Sequence, residues 1–109
     1  MAYDEALAGR VRELVSARAD VSERKMFGGI AFMVGGNMAV GVTGDELMVR
    51  LDPADSEKAL TEEGVRVFDM TGRPMKGWIL VSADRTSGEA GLAEWVEAGA
   101  DYAASLPPK

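Results

Sequence analysis

The stretch that decides the fold is residues 30–51, IAFMVGGNMAVGVTGDELMVRL, in which apolar residues recur at every second position. This period is typical of β-strands, whose successive side chains point to opposite faces of a sheet. Two turn signals, Gly35-Gly36-Asn37 and Gly44-Asp45, divide the stretch into three runs. The sequence therefore predicts three consecutive antiparallel strands, and a further strand is expected just before them, around residues 23–27.

Predicted helices precede, interrupt and follow the strands. Residues 4–19 carry an apolar stripe at helical spacing, and a second helix is predicted from residue 52 to about residue 62. A third is expected to open at Thr86 and to extend to about Ser105, where Pro107-Pro108 follows. The residues expected to cap the first two helices are Asp4 and Asp52 at their N-termini and Gly64 at the C-terminal end of the second.

Two more strands are predicted in the second half of the chain, at residues 65–70 and 78–81, with a loop at residues 71–77 between them. The resulting order is helix, strands, helix, strands, helix. It predicts an α+β two-layer domain, in which an antiparallel β-sheet packs with N-terminal, middle and C-terminal helices. With 109 residues and 11.6 kDa, the chain is expected to form a single domain over residues 1–109.

Composition excludes several classes of chemistry. The chain has no cysteine, so it can form neither disulfides nor thiolate metal ligands, and it has no histidine, the usual general base near neutral pH. Ser-His-Asp and Cys-His catalysis cannot be assembled within it. We therefore expect no enzyme activity, no catalytic residues, no metal and no cofactor. The lack of cysteine fits a cytoplasmic protein, and no apolar run is long enough to suggest a membrane partner.

The charge argues against nucleic acid as a direct partner. The formal net charge is −6 with a pI of about 4.6, and residues 86–108 contain four acids and no base. Such a segment repels a phosphate backbone. The acids Glu94, Glu97 and Asp101 on the last predicted helix are interpreted as a solvated face, because three acids on one helix make a poor cage for a cation.

The second face of the predicted sheet is unusual. If the larger apolar residues of the strands face the helices, the opposite face is small and weakly apolar, where a solvated sheet would be charged. Two interpretations stay open: a terminal helix or loop covers this face, or it is a surface for a protein partner or a second copy. The candidate interface residues are Ala31, Met33, Ala39, Gly41 and Met48.

Two segments combine basic residues with glycines and a large apolar side chain, a combination that can hold an anion through exposed amides and cations. Neither contains a known phosphate-loop pattern. The alternative interpretation is structural, a bulge or tight strand connection in the first and a proline-containing turn in the second. The candidate binding residues are Arg24, Lys25, Met26, Phe27, Gly28 and Gly29 in the first segment and Gly72, Arg73, Pro74, Met75, Lys76, Gly77 and Trp78 in the second. Both Trp78 and Trp95 are expected to be core residues.

These segments also carry a resemblance. The strings RKMFGGIAFMVGGNMAVGV at residues 24–42, DELMVR at residues 45–50 and MTGRPMKGW at residues 70–78 resemble the TfoX N-terminal domain family. The resemblance implies an antiparallel sheet flanked by helices, similar to type III secretion chaperones. It also implies a stand-alone member, because the chain ends at Lys109 without the C-terminal domain of two-domain members.

The function implied by the resemblance is regulatory. The regulator for which the family is named acts on competence genes as a coactivator with a cyclic-AMP receptor protein, and the family has no agreed catalytic residues to carry over. We therefore expect a non-enzymatic regulatory or adaptor module that acts through protein contacts, with a homodimer as one form of such contact. The alternative is a small anion- or nucleotide-binding domain that uses the Arg24–Gly29 and Gly72–Trp78 segments.

Overall fold

A computed structural model describes residues 3–18, 20–26, 29–69 and 74–107. Ten elements follow one another along the chain: α1 (Glu5–Val15), β1 (Val21–Met26), β2 (Gly29–Val34), β3 (Asn37–Thr43), β4 (Glu46–Arg50), α2 (Pro53–Ala59), β5 (Val65–Asp69), β6 (Pro74–Val81), α3 (Ala83–Thr86) and α4 (Glu89–Ser105).

The predicted N-terminal caps of the first two helices are confirmed. A carboxylate oxygen of Asp4 accepts hydrogen bonds from the amides of Ala6 and Leu7, at 2.9 and 3.1 Å. The carboxylate of Asp52 accepts one from the amide of Ala54 at 3.0 Å. Each cap satisfies amides that have no partner within the helix. The predicted C-terminal end of α2 is wrong: the helix ends at Ala59 with Leu60 as its C-cap, and Gly64, with a left-handed φ of +78°, belongs to the turn before β5.

The strands form one six-stranded antiparallel sheet with the order β1-β2-β3-β4-β6-β5. The first four are the predicted meander, and the turns at Gly35-Gly36 and Gly44 contain the positive φ angles that tight connections require. Strand β6 lies between β4 and β5, so β5 forms one edge of the sheet and β1 the other. The α+β two-layer architecture is confirmed.

Two elements differ from the prediction. Strand β6 begins at Pro74, not at residue 78, because its first residues continue the pairing with β5, where Asp69 is opposite Pro74. The predicted third helix is divided into α3 and α4. Thr86 lies at the end of α3, and Gly88, with extended backbone angles, is the N-cap of α4.

The main core lies between the helices and one face of the sheet. Buried side chains of α1, α2 and α4 meet buried strand residues such as Phe32, Val40, Leu47 and Ile79 in one continuous cluster. Helix α4 approaches the sheet closely at Gly99, where an added Cβ would lie 2.6 Å from the carbonyl oxygen of Ala39 and 2.8 Å from a methyl group of Val40. A side chain at this position would therefore push α4 away from β3.

A register shift changes which residues of β3 face the helices. Phe32 pairs with Val40 and Met33 pairs with Met38, so Ala39 is an extra residue in β3. Regular alternation predicts that Ala39 lies on the face away from the helices and Met38 on the helix face. The structure reverses both: Ala39 packs with small residues of α4, and Met38 belongs to a cluster on the opposite face. A bulge produces this change of phase.

The contact at Gly99 yields a first prediction. Gly99→Ala should lower the free energy of unfolding by about 1–3 kcal/mol, because the new methyl group overlaps a backbone oxygen that cannot rotate away. Gly9→Ala in α1 is the matched control: an added Cβ there meets nothing within 4 Å, so the helix should gain about 0.5–1 kcal/mol. Urea denaturation measures both, and equal effects of the two substitutions would contradict the close approach of α4.

A second prediction concerns β1, which an ion pair attaches to α1. The Arg12 guanidinium donates two hydrogen bonds to the Glu23 carboxylate, at 2.7 and 2.9 Å, and these lower the pKa of Glu23 from its ordinary value of 4.5. The pair therefore stabilises the fold above about pH 4.5, and this stabilisation is lost as the pH falls through the lowered pKa. Because both side chains are largely exposed, its contribution is at most about 1 kcal/mol.

The Glu23→Gln variant should lose that much stability at pH 7 and differ less from the parent protein at pH 3, as measured by urea denaturation at the two pH values. A constant difference across this range would show that the ion pair does not contribute through its charge.

Candidate functional site

The sheet order keeps the two basic segments apart. Arg24 and Lys25 lie exposed on the edge strand β1, whereas residues 74–78 lie in β6, and three strands separate β1 from β6. At a spacing of about 4.8 Å between neighbours, β1 and β6 are roughly 19 Å apart across the sheet. The pairing also places the end of β1 and the start of β6 at opposite ends of the sheet. A single anion site built from both segments is therefore not supported.

Several of the candidate binding residues lie outside this description. Phe27, Gly28, Gly72 and Arg73 lie outside the described residues, and so do the side chains of Met26, Pro74, Met75 and Lys76.

The described glycines of these segments serve strand packing. An added Cβ at Gly29 would lie 2.0 Å from the carbonyl oxygen of Val42 on the neighbouring strand. Gly77 has a φ of +85°, and its carbonyl oxygen accepts a hydrogen bond of 2.6 Å from the amide of Leu51. An added Cβ there would lie 2.7 Å from the Leu51 oxygen. At these two positions the structural interpretation applies, because only glycine fits the close backbone approach.

On the face of the sheet away from the helices, side chains of the strands pack against one another. Ala31, Met38, Met48, Phe68 and Leu80 form a buried cluster, with Met33 and Trp78 half-buried beside it. The methyl groups of Met48 and Met38 lie over Gly41, within 2.8 and 3.2 Å of where its Cβ would be.

This packing corrects the predicted interface. Ala31, Ala39 and Met48 are each 0% exposed within the single chain, and Gly41 is also buried. These four residues therefore do not line an open surface, and Ala39 lies on the helix face. Met33 alone among the five candidates is half-exposed.

A groove of about 530 Å³ lies between α2 and α4 on the helix side of the sheet. Its apolar lining consists of buried Leu51 and Ala59, half-buried Trp95 and Tyr102, and exposed Ala98. Its charged lining, all exposed, consists of Asp55, Lys58, Glu62 and Asp101. Concave surfaces of this size with an apolar lining and a few polar groups are where proteins bind other molecules.

Two arginines hold the aromatic rings of the groove. The guanidinium of Arg85 lies over the Trp95 ring, 5.9 Å from its centre. It also donates to the Glu63 carbonyl oxygen at 2.6 Å and to the Glu62 carboxylate at 2.8 Å, and thereby joins the end of the α2 segment to α4. At the other end, Arg50 lies 5.7 Å from the centre of the Tyr102 ring. Both rings are therefore positioned without a ligand.

The segments that frame the groove are strongly acidic. Helix α4 contains four acids and no base, and residues 52–63 contain five acids and one base, Lys58. Arg18 pairs with Asp101 at 2.5 Å and Arg85 with Glu62 at 2.8 Å. Glu89, at the start of α4, lines a different groove, so eight of these carboxylates lie around this one. They exceed the four cations Lys58, Arg18, Arg85 and Arg50 by four.

A comparison with protein families identifies the family of the chain. The TfoX N-terminal domain model matches residues 13–103 of the 109 residues. The chain belongs to this family. The match covers α2 and α4 up to Ala103, and therefore every residue that lines the α2–α4 groove. No curated protein and no solved structure matches the chain.

The groove of this TfoX N-terminal domain was not predicted from the sequence. The sequence predicts that Trp95 is a core residue, whereas the structure places it half-buried at the groove, and no prediction concerns Tyr102. The available signal was a second helical stripe, Trp95, Ala98 and Tyr102 at i, i+3 and i+7, beside the buried stripe that contains Val96 and Gly99. This stripe lines a groove only because α2 lies beside it, and the sequence does not show that α2 packs against β6.

The structure suggests neither a metal site nor a membrane span in the part of the chain that it describes. No three acidic side chains among the described residues are placed to hold a metal ion. None of the described helices is long and apolar enough to cross a bilayer. A second groove, of about 400 Å³, lies between α1 and the start of α4, with Arg10, Leu14 and Glu89 in its lining.

A third prediction distinguishes position 39, which the bulge places on the helix face of the sheet, from position 33 on the opposite face. Ala39→Glu should unfold the protein, because the carboxylate would be buried against α4, at a cost of several kcal/mol in a domain stabilised by about 5–15 kcal/mol. Met33→Glu, on the half-exposed position, should keep the fold. Near-ultraviolet circular dichroism and thermal denaturation distinguish the outcomes, and a folded Ala39→Glu variant would contradict the bulge.

Proposed function

We propose that this TfoX N-terminal domain is a non-enzymatic regulatory or adaptor module that acts by binding a segment of another protein in the α2–α4 groove. The observation that carries the proposal is the groove itself, with two half-buried aromatic side chains held in place at its two ends. Tryptophan and tyrosine are enriched among the residues that dominate the binding energy of protein interfaces.

The shape of the groove favours a protein segment. Trp95 and Tyr102 are seven residues apart on α4, which corresponds to about 10 Å along the helix axis. Ala98 lies between them, and its small side chain leaves room for an incoming side chain. A helix or extended segment can then place apolar groups beside both rings, as in other helix-groove complexes.

The other parts of the proposal rest on composition and on the family. Without histidine and cysteine the chain lacks the residue types that most often act as general base or nucleophile. The regulatory character is supported by membership of the TfoX N-terminal domain family. A cytoplasmic location belongs to the same proposal and is compatible with the absence of cysteine.

The alternative of an anion- or nucleotide-binding module has less support. It was expected to use both basic segments, which lie in β1 and β6 with three strands between them. An anion site would have to form within one segment. The α2–α4 groove, by contrast, is already formed in the structure.

A fourth prediction tests the proposed contact in the native host cells. A photo-crosslinking amino acid in place of Ala98 should capture a defined protein, at a yield at least about fivefold above that from the same amino acid in place of Ala104. Ala104 is the matched control because it is also an exposed alanine on α4 but does not line this groove.

A second experiment tests the function through the change in transcript levels that follows deletion of the gene. The wild-type chain and the Ala104→Arg variant should reverse this change, whereas Ala98→Arg should not, because its long side chain fills the groove. Equal crosslinking at the two positions, or full rescue by Ala98→Arg, would show that the function does not pass through the groove.

A further inference from the structure

The charge around the α2–α4 groove indicates the chemistry of its occupant. We propose that the groove binds a Lys/Arg-rich amphipathic segment of a partner protein, and this inference rests on the proposed function. The apolar side of that segment would contact Trp95, Ala98 and Tyr102, and its basic side chains would pair with the carboxylates that frame the groove.

Charge complementarity supports this occupant. The segments around the groove have an excess of four carboxylates once Lys58, Arg18, Arg85 and Arg50 are counted. Asp55 lines the groove as an exposed carboxylate, and Glu57 lies on the same short helix. Such a field raises the local concentration of cationic segments and increases their rate of association. It disfavours acidic segments and phosphate groups at the same place.

The aromatic lining also suits a basic segment. Lysine and arginine side chains pack their aliphatic stems along apolar surface and keep their charged ends in water. Their cations are attracted to the faces of tryptophan and tyrosine rings. The protein already uses this contact internally, since Arg85 and Arg50 lie over the Trp95 and Tyr102 rings.

The same charge argues against a second copy of the chain in this groove. The two copies would have to bring two frames of excess negative charge together, and like charges at an interface cost free energy. Self-association through the groove is therefore an outcome that would count against the proposal.

The test uses two synthetic peptides of about 14 residues that differ only in charge. One is an amphipathic helix of leucine and lysine, and the other has glutamate in place of every lysine. Binding to the full chain is followed by NMR through the indole N–H signals. The chain has two tryptophans, and Trp78 does not line the groove but packs with the cluster on the opposite face of the sheet. The Arg50 guanidinium lies 5.3 Å from the Trp78 ring centre and 5.7 Å from that of Tyr102, so Trp78 serves as a reference for the size of the Trp95 shift.

We expect the lysine peptide to shift the Trp95 indole signal clearly more than the Trp78 signal, whereas the glutamate peptide shifts neither. Ala98→Arg should weaken binding of the lysine peptide at least about tenfold, and Ala104→Arg less than about twofold. Both variants add one positive charge, so the difference between them isolates the groove from the general attraction of an acidic protein.

Several results of these measurements would overturn the proposal. They are equal weakening by the two arginine variants, a shift of the Trp78 signal in place of the Trp95 signal, equally tight binding of the glutamate peptide, and no binding of the lysine peptide. A dimer at micromolar concentration that Ala98→Arg dissociates would also overturn it. If crosslinking at position 98 captures a partner without a basic segment, the proposed adaptor function stands and this inference fails.

Discussion

The close contact between α4 and β3 at Gly99 is the constraint on which the rest of the structure depends. With no side chain at this position, the helix backbone can approach the Ala39 carbonyl group and the methyl groups of Val40 and Val49. The buried alanines Ala100 and Ala103 continue the contact along α4. Because α4 lies so close to the sheet, its next stripe of residues, including Trp95 and Tyr102, is brought beside α2. The groove is therefore a consequence of small residues at the helix–sheet interface.

The two faces of the sheet are covered in different ways. On one face, helices complete the core and carry half of the acidic residues of the chain, and carboxylates of α2 and α4 lie around the groove. On the other face, methionine, phenylalanine and tryptophan side chains cover the sheet themselves. Flexible methionines suit this purpose, because Met38 and Met48 bend over Gly41 and fill the space that its missing side chain leaves. The chemistry available to a partner is therefore concentrated on the helix side.

Much of the fold could be predicted from local signals, because the meander of strands, the glycine turns and the caps at Asp4 and Asp52 depend on neighbouring residues. The failures concern features that tertiary contacts decide. Alternation could not show the bulge at Ala39, since the extra residue appears only when β2 and β3 are paired. The burial of four of the five candidate interface residues could not be predicted for the same reason: small apolar residues in a strand look alike whether they are open or covered. The groove forms only where α2 and α4 come together, and no spacing of residues in the sequence shows that these two helices are neighbours.

The strand order has a consequence for how the chain folds. Tight turns join β2, β3 and β4, so their pairing closes short loops and costs little chain entropy. The pairing of β4 with β6 joins Arg50 to Trp78 and must close a much longer loop that contains α2 and β5. Helix α4 then packs on strands that lie far earlier in the chain. Since long-range contacts form slowly, we expect the meander to assemble first and α4 to dock late. The groove is then complete only in the fully folded chain, so that a partner which recognises it distinguishes the finished domain from its folding intermediates.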